Sequence, residues 1–224
     1  MKLTTTGFTD HEVIPSELAF GVIDLDKHVA LSDNRNPDFA WSDLPAGTRS
    51  LALVCVDPDV PSVGTDVNQP GRIVSADLPR ADFYHWALID LPASARPIER
   101  GEFSAKVTPR GKGGPAFARL DGTRVRQAIN DYTGWFAGDS DMGGDYYGYD
   151  GPCPPWNDAR VHHYVFTLYA LGVDQVAIPA DSAHRFTGAE VLAAIRPHVL
   201  GQASITGVYT LNPALDPMAP AARP

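Results

Sequence analysis

Asp57, His85, His162 and Tyr164 are the side chains of this 224-residue chain whose types and spacing could do chemistry together. Each stands at the end of an apolar run. Side chains alternate between the two faces of a strand, so in the run from His162 the set His162, Tyr164, Phe166 and Leu168 shares one face. Asp57 follows Leu51, Leu53 and Cys55 on its own face, and His85 opens a run in which Ala87 and Ile89 are expected behind it. If the three ends meet, they make a small polar pocket over a hydrophobic floor. The chemistry open to it is recognition by His N–H and Tyr O–H donors, with Asp57 accepting from a histidine ring, fixing its tautomer and raising its pKa. Taken singly, each group also has a plain structural role: a histidine at a strand end satisfied by its neighbours, and Asp57-Pro58 starting a turn. His163 faces away from His162 and is expected at the surface.

The elements that must position these groups are short apolar runs separated by Pro, Gly and Asp: 17–23, 50–56, 83–91, 162–171 and 202–211, all with strand character. Thr187-Gly-Ala-Glu190 is a capping-box pattern, followed by Val191, Leu192, Ile195 and Val199 at helical spacing, with Pro197 ending the helix. No regular alternation of strands with long amphipathic helices is present, which argues against a doubly wound parallel sheet. The expected class is mainly β, an antiparallel β-sandwich with one or two small peripheral helices. Residues 1–211 are expected to form a single domain, and 212–224, with four prolines, a loose tail. Segments 57–82 and 138–155 read as long functional or mobile loops.

Composition narrows the function classes. Glycine and proline number 20 each, 40 of 224 residues or about 18%, against an average of about 12%, too much punctuation for a helical bundle. The net charge of −9 excludes broad attraction to nucleic acid or anionic lipid and leaves room only for a local anion site. The N-terminus lacks the apolar stretch of a signal peptide, and the longest apolar run, Leu51 to Val56, is far short of a membrane span. The expected location is the cytoplasm, without integral membrane association. Two cysteines, Cys55 and Cys153, lack metal-ligand spacing and are expected as free thiols.

In combination the residues resemble the phosphatidylethanolamine-binding protein family, which includes the Raf kinase inhibitor proteins. The resemblance runs from Asn36-Pro37 and Trp41 through Asp57-Pro-Asp-Val-Pro61 and Tyr84-His85-Trp86 to Tyr149-Asp-Gly151-Pro-Cys-Pro-Pro155 and His162-His-Tyr164. It implies a sandwich of two antiparallel sheets with a small anion pocket at its rim for phosphate-bearing headgroups, and a binding or regulatory module without catalysis or cofactor. Carried over by position, the ligand-binding residues would be Asp57, His85, Cys153, Pro154, Pro155, His162 and Tyr164, supported by Asp59, Pro61, Trp86 and Gly151. The implied partner is a small phosphate-bearing anion or phospholipid headgroup, bound by a monomer or homodimer. Both cysteines would then lie near the pocket, where a redox-sensitive pair is conceivable.

Two rival functions stand beside this one. His85, His162, Asp57 and Asp59 could form the metal site of a hydrolase. Alternatively, an interaction or inhibitor module could act through the 138–150 loop, whose Tyr146, Tyr147 and Tyr149 alternate with glycine and aspartate and whose Asp139, Asp141 and Asp145 could hold calcium weakly.

Overall fold

The computed structural model describes residues 1–178 and 185–215; the expected tail lies outside the described residues from 216 onward. In chain order the strands are β1 (Lys2–Thr4), β2 (Gly21–Asp24), β3 (His28–Leu31), β4 (Ala40–Ser42), β5 (Ser50–Pro61), β6 (Arg80–Pro92), β7 (Gly111–Lys112), β8 (Ala116–Ala118), β9 (Arg124–Gln127), β10 (Asp145–Tyr146), β11 (His162–Leu171) and β12 (Val199–Tyr209). A four-residue helix α1 (Tyr132–Trp135) precedes β10, and α2 (Gly188–Ile195) precedes β12. With 39% strand and 9% helix, the protein is mainly β, as its apolar runs indicate.

One antiparallel sheet dominates, in the order β12-β11-β5-β6-β9-β8. Between its irregularities the side chains of its strands alternate between two faces. Leu51, Leu53 and Cys55 of β5 join Trp86, Leu88, Phe166 and Leu168 on one face, while Ala52, Val54, Ala87 and Ile89 occupy the other. The first face is covered by N-terminal segments carrying Leu3, Ile14, Leu18 and Phe39, and by the two small antiparallel sheets β1–β4 and β2–β3. The second layer of the sandwich is therefore a set of small pieces rather than one broad sheet. The second face is covered by α2 through Val191 and Ile195. Thr187 accepts from the Glu190 backbone N–H at 3.3 Å and the Glu190 carboxylate accepts from the Thr187 backbone N–H at 2.8 Å, closing the expected capping box. Pro197 falls in a single 3₁₀ turn that ends the helical stretch.

Two expectations change. Segment 57–82 does not leave the sheet at Asp57: β5 continues to Pro61, with its ladder to β6 irregular between Asp57 and Val60. There the Asp57 carboxylate accepts from the Asp59 backbone N–H at 2.8 Å, the local bond that aspartate offers in a turn. His85 also does not share a face with Ala87 and Ile89. Cys55 pairs with Trp86 but Val56 pairs with Tyr84, so two residues of β6 oppose one of β5. This bulge turns His85 to the side of Tyr164, whose ring lies 5.0 Å away. Strict alternation cannot reveal such an insertion.

The Gly151-Pro-Cys-Pro-Pro155 turn is held against residues 18–21. A Cβ on Gly151 would lie 2.1 Å from the Leu18 carbonyl oxygen, while its N–H donates to Asn34 Oδ1 at 2.7 Å and its carbonyl accepts from the Tyr132 hydroxyl at 2.8 Å. Gly151→Ala is expected to destabilise the protein by about 1–3 kcal/mol through overpacking, measured by denaturant unfolding. Gly134→Ala, within α1 and with nothing within 4 Å of the added Cβ, is the control expected to keep stability or raise it by up to about 1 kcal/mol.

Candidate functional site

The irregular ends of β5 and β6, the start of β11, α1 and the loop between β5 and β6 enclose a cavity of about 420 Å³. Its polar lining includes Asp57, His85, Tyr164 and Cys153; Pro61, Pro154 and Pro155 also line it. The remaining wall is apolar and aromatic, including Phe20, Phe83, Tyr132 and Phe136. Tyr132 stacks on Phe20 at 4.6 Å and meets His85 edge-on at 5.6 Å. Among the described residues no lysine or arginine lines the cavity.

His162 stands behind this wall, fully buried. Its Nδ1 lies 2.7 Å from Asp57 Oδ2 and its Nε2 lies 3.1 Å from Asp158 Oδ2. Carboxylate oxygens only accept, so both ring nitrogens carry hydrogen and the ring is an imidazolium. Burial works against that charge, but the bonds to Asp158 and Asp57 outweigh it and raise the pKa to about 9. Asp158 is in turn gripped by the buried Arg80 guanidinium, at 2.6 Å and 3.0 Å. Burial alone would raise the Asp158 carboxyl, yet the His162 and Arg80 bonds hold it below its usual range. Opposite charges thus alternate from Arg80 through Asp158 and His162 to Asp57, where the cavity begins.

Asp59 lies beside the site and braces it. Its carboxylate accepts from Arg160 Nη1 at 3.0 Å, from the His163 backbone N–H at 3.0 Å and from His163 Nδ1 at 2.8 Å. Trp86 lies in the core rather than on the cavity, donating from Nε1 to Gln127 Oε1 at 2.8 Å. The loop from Ser62 to Pro79 supplies Gly64, Val67 and Asn68 to the wall. Arg80 holds the carbonyls of Ser75 and Leu78, and Asn157 holds those of Asp66 and Arg72.

His85 has the opposite electrostatics to His162. Its Nδ1 lies 2.7 Å from the Asp150 backbone carbonyl, which only accepts, so Nδ1 carries the hydrogen and Nε2 of the neutral ring is an acceptor. Burial pushes its pKa down, against the pull of Asp57 and the Asp150 carbonyl. The Asp150 carboxylate is itself buried and accepts from Asn34, Asn130 and Lys112 at 2.7, 2.8 and 2.7 Å. Tyr164 is 1% exposed, and its buried hydroxyl, under the influence of the Asp57 carboxylate, makes no hydrogen bond of normal geometry among the described residues. Burial and the nearby Asp57 charge push its pKa well above the ordinary phenol value.

The family profile described as Phosphatidylethanolamine-binding protein matches residues 4–210. The chain belongs to the phosphatidylethanolamine-binding protein family. It is 29% identical over 210 residues to the UPF0098 protein YbhB of Escherichia coli, covering 94% of this chain and all of that one. It is also 29% identical over 209 residues to a UPF0098 protein of Methanothermobacter thermautotrophicus, covering 93% and 98%. The crystal structure of E. coli YbcL, described as a new member of the mammalian PEBP family, superposes with a TM-score of 0.61 at 24% identity, over 93% of this chain and 97% of that one. Membership makes this a binding-type protein.

Of the residues expected at the site, Asp57, His85, Tyr164, Cys153, Pro154, Pro155 and Pro61 line the cavity; His162, Asp59, Trp86 and Gly151 support it from behind or beside. Asp158, Arg80, Asp150 and Tyr132 were not singled out from sequence. Asp158 stands four residues before His162, a spacing with no meaning for a strand that begins at His162.

Nothing in the described residues supports the metal-hydrolase alternative. Both His162 nitrogens are engaged by carboxylates, Asp59 is committed to Arg160 and His163, and no group of three His, Cys, Asp or Glu side chains among the described residues could hold a metal ion. In the 138–150 loop Tyr146, Tyr147 and Tyr149 are buried and offer no contact surface, whereas residues 138–141 are exposed. Asp139 caps the N–H groups of Asp141 and Met142, and Asp145 pairs with Arg185. Cys55 and Cys153 are free thiols, and burial raises that of Cys153 to about 12.

A raised histidine pKa gives stability that is full below the unfolded value of 6.5 and is lost as pH rises through about 9. Unfolding free energy is therefore expected to fall between these limits, and Asp158→Asn to flatten that slope while destabilising the protein by about 3–5 kcal/mol, as for a broken buried pair. Chemical denaturation at half-unit pH steps measures both effects.

Proposed function

We propose that the protein is a non-catalytic binding module that takes a phosphate-bearing headgroup into the cavity beside Asp57, His85 and Tyr164. The observation that carries this is the Tyr164 hydroxyl, buried in the cavity wall beside Asp57 without a hydrogen bond of normal geometry. A buried hydroxyl left unmade costs about 1–3 kcal/mol, and an anionic oxygen would satisfy it. Asp57 does not forbid an anion, because the His162 imidazolium 2.7 Å behind it answers its charge. His85 supplies a second donor once Nε2 takes up a proton, since Nδ1 is already committed to Asp150. The apolar walls suit the carbon atoms that carry a headgroup, and a cavity of about 420 Å³ lies in the range of small-molecule sites. Two unpaired cysteines are what a reducing compartment allows, and the proposed location is the cytoplasm.

Glycerophosphoethanolamine is the probe of choice, because its phosphodiester keeps one negative charge across the pH range in which His85 titrates. His85 has its pKa lowered from 6.5, so at neutral pH binding must take up a proton. The expected result by calorimetry is affinity that rises as pH falls from about 8 to about 5, histidine's range. Affinity that is constant over that interval would remove His85 from the site, and absence of binding throughout would overturn the proposal.

Tyr164→Phe makes a separate test. Deleting an unbonded hydroxyl is expected to leave the stability of the empty protein unchanged or slightly raised, while headgroup affinity falls about tenfold, the worth of one hydrogen bond to a charged group. Unfolding and binding measured on the same preparation give both numbers.

A further inference from the structure

The six-stranded sheet has two edges, and the fold treats them differently. Along the 206–208 end of β12 the N-terminal segment closes the edge. His11 N–H donates to the Thr206 carbonyl at 2.6 Å, Val208 N–H to that of Glu12 at 3.0 Å and Ile14 N–H to that of Val208 at 2.9 Å. At the other edge β8 has β9 on one side and, among the described residues, no strand on the other. Arg119 N–H donates to the Thr123 carbonyl at 2.9 Å, and Gln127 N–H to that of Pro115 at 2.8 Å. Ladder bonds recur at every second residue of an antiparallel strand. Pro115, Phe117 and Arg119 therefore bond towards β9, and the N–H and C=O groups of Ala116 and Ala118 point out of the sheet. Both alanines are exposed, and no charge, proline or bulge inside β8 guards them.

This edge also has a charge of its own. From Lys106 to Arg126 the chain carries six basic side chains and one acidic, although its net charge is −9. Lys112, Arg119 and Arg126 are committed inside the fold, to Asp150, Glu102 and Asp90. Arg124 is not. It is exposed, stands opposite Ala118 on the same face of the sheet, and has no carboxylate paired to it among the described residues. Because alanine ends at Cβ, the Arg124 guanidinium can reach across it to a strand laid on the edge. On the other face of β8, Phe117 is half-buried against Phe103, with ring centroids 4.7 Å apart.

We propose that the β8 edge binds an acidic segment of a partner protein, which joins the sheet as a further strand. Its carboxylates lie on the Arg124 face and its apolar side chains on the Phe117 face, while its backbone meets the outward groups of Ala116 and Ala118. A second copy of this chain does not suit the edge, since pairing β8 with β8 brings two Arg124 side chains together. A nucleic acid matches the positive charge but not the edge, because phosphate oxygens cannot donate to outward carbonyls. No residue of β8 lines the cavity, so the proposal is independent of the headgroup function.

The probe is a fluorescent peptide of about eight residues, one strand's length, alternating glutamate and valine, compared with a lysine and valine peptide of the same length. Anisotropy with the full chain is expected to show binding of the glutamate peptide alone. That binding should weaken between about 0.1 M and about 1 M salt, as the screening length shortens. Amide exchange followed by NMR is expected to slow at Ala116 and Ala118 when the peptide is bound. Ala118→Pro removes one outward N–H without touching the β9 ladder, a change that an edge strand tolerates, and is expected to lower affinity about tenfold. Arg124→Glu keeps every backbone bond and is expected to reverse the preference, so that the lysine peptide binds and the glutamate peptide does not. This reversal is a gain of binding that an unfolded variant could not give. No binding of the glutamate peptide, equal binding of both peptides, affinity indifferent to both substitutions, or preference for single-stranded DNA over the glutamate peptide would overturn the proposal.

Discussion

The site depends on one buried imidazolium. His162 sits between Asp57 and Asp158 with a carboxylate on each ring nitrogen, and Arg80 completes an alternating row of charges. A single buried charge would be prohibitively costly; a row in which each is hydrogen-bonded to its opposite can be tolerated inside a protein. That row ends at the cavity, where it holds Asp57 in one orientation with its charge answered from behind. It also reaches outward, since Arg80 grips the carbonyls of the 62–79 loop that forms part of the cavity wall. Cavity wall and loop anchor are thus parts of one electrostatic unit.

The two histidines divide the labour through their partners. His162, between carboxylates, is held charged; His85, against a backbone carbonyl and buried among rings, is held neutral. A site that needs a fixed charge and a proton acceptor obtains both from one residue type by placing it in two environments. Tyr164 stands between them with a buried hydroxyl that makes no hydrogen bond of normal geometry among the described residues. Around these polar groups the wall is largely apolar and aromatic, a setting of low polarity in which hydrogen bonds are electrostatically stronger than in water.

Much of the architecture was legible in the chain itself. Apolar runs in 50–56 and 162–171 marked the strands that form the centre of the sheet, because a strand covered on both faces needs apolar residues on both. The capping box at Thr187 and the helix behind it were legible because their bonds are local, three residues apart. His85 was legible as a site residue but not as to its face, since the bulge that turns it is a mismatch between two strands. The tyrosines of 146–149 read as a surface composition and proved to be core, because burial is decided by what packs against a segment, here Phe20, Phe136 and the main core.

By itself the sequence determined the mainly β class, the late capped helix and the identities of Asp57, His85 and Tyr164, because alternation, capping and motif order are properties of neighbours along the chain. Only the tertiary structure decided which of these groups face the cavity and in what charge state. Asp158 and Arg80, 78 residues apart, meet across the fold, and no spacing in the sequence announces them. The charge on a buried histidine is set by such partners, so the chemistry of the cavity was fixed by contacts made only when the chain folded.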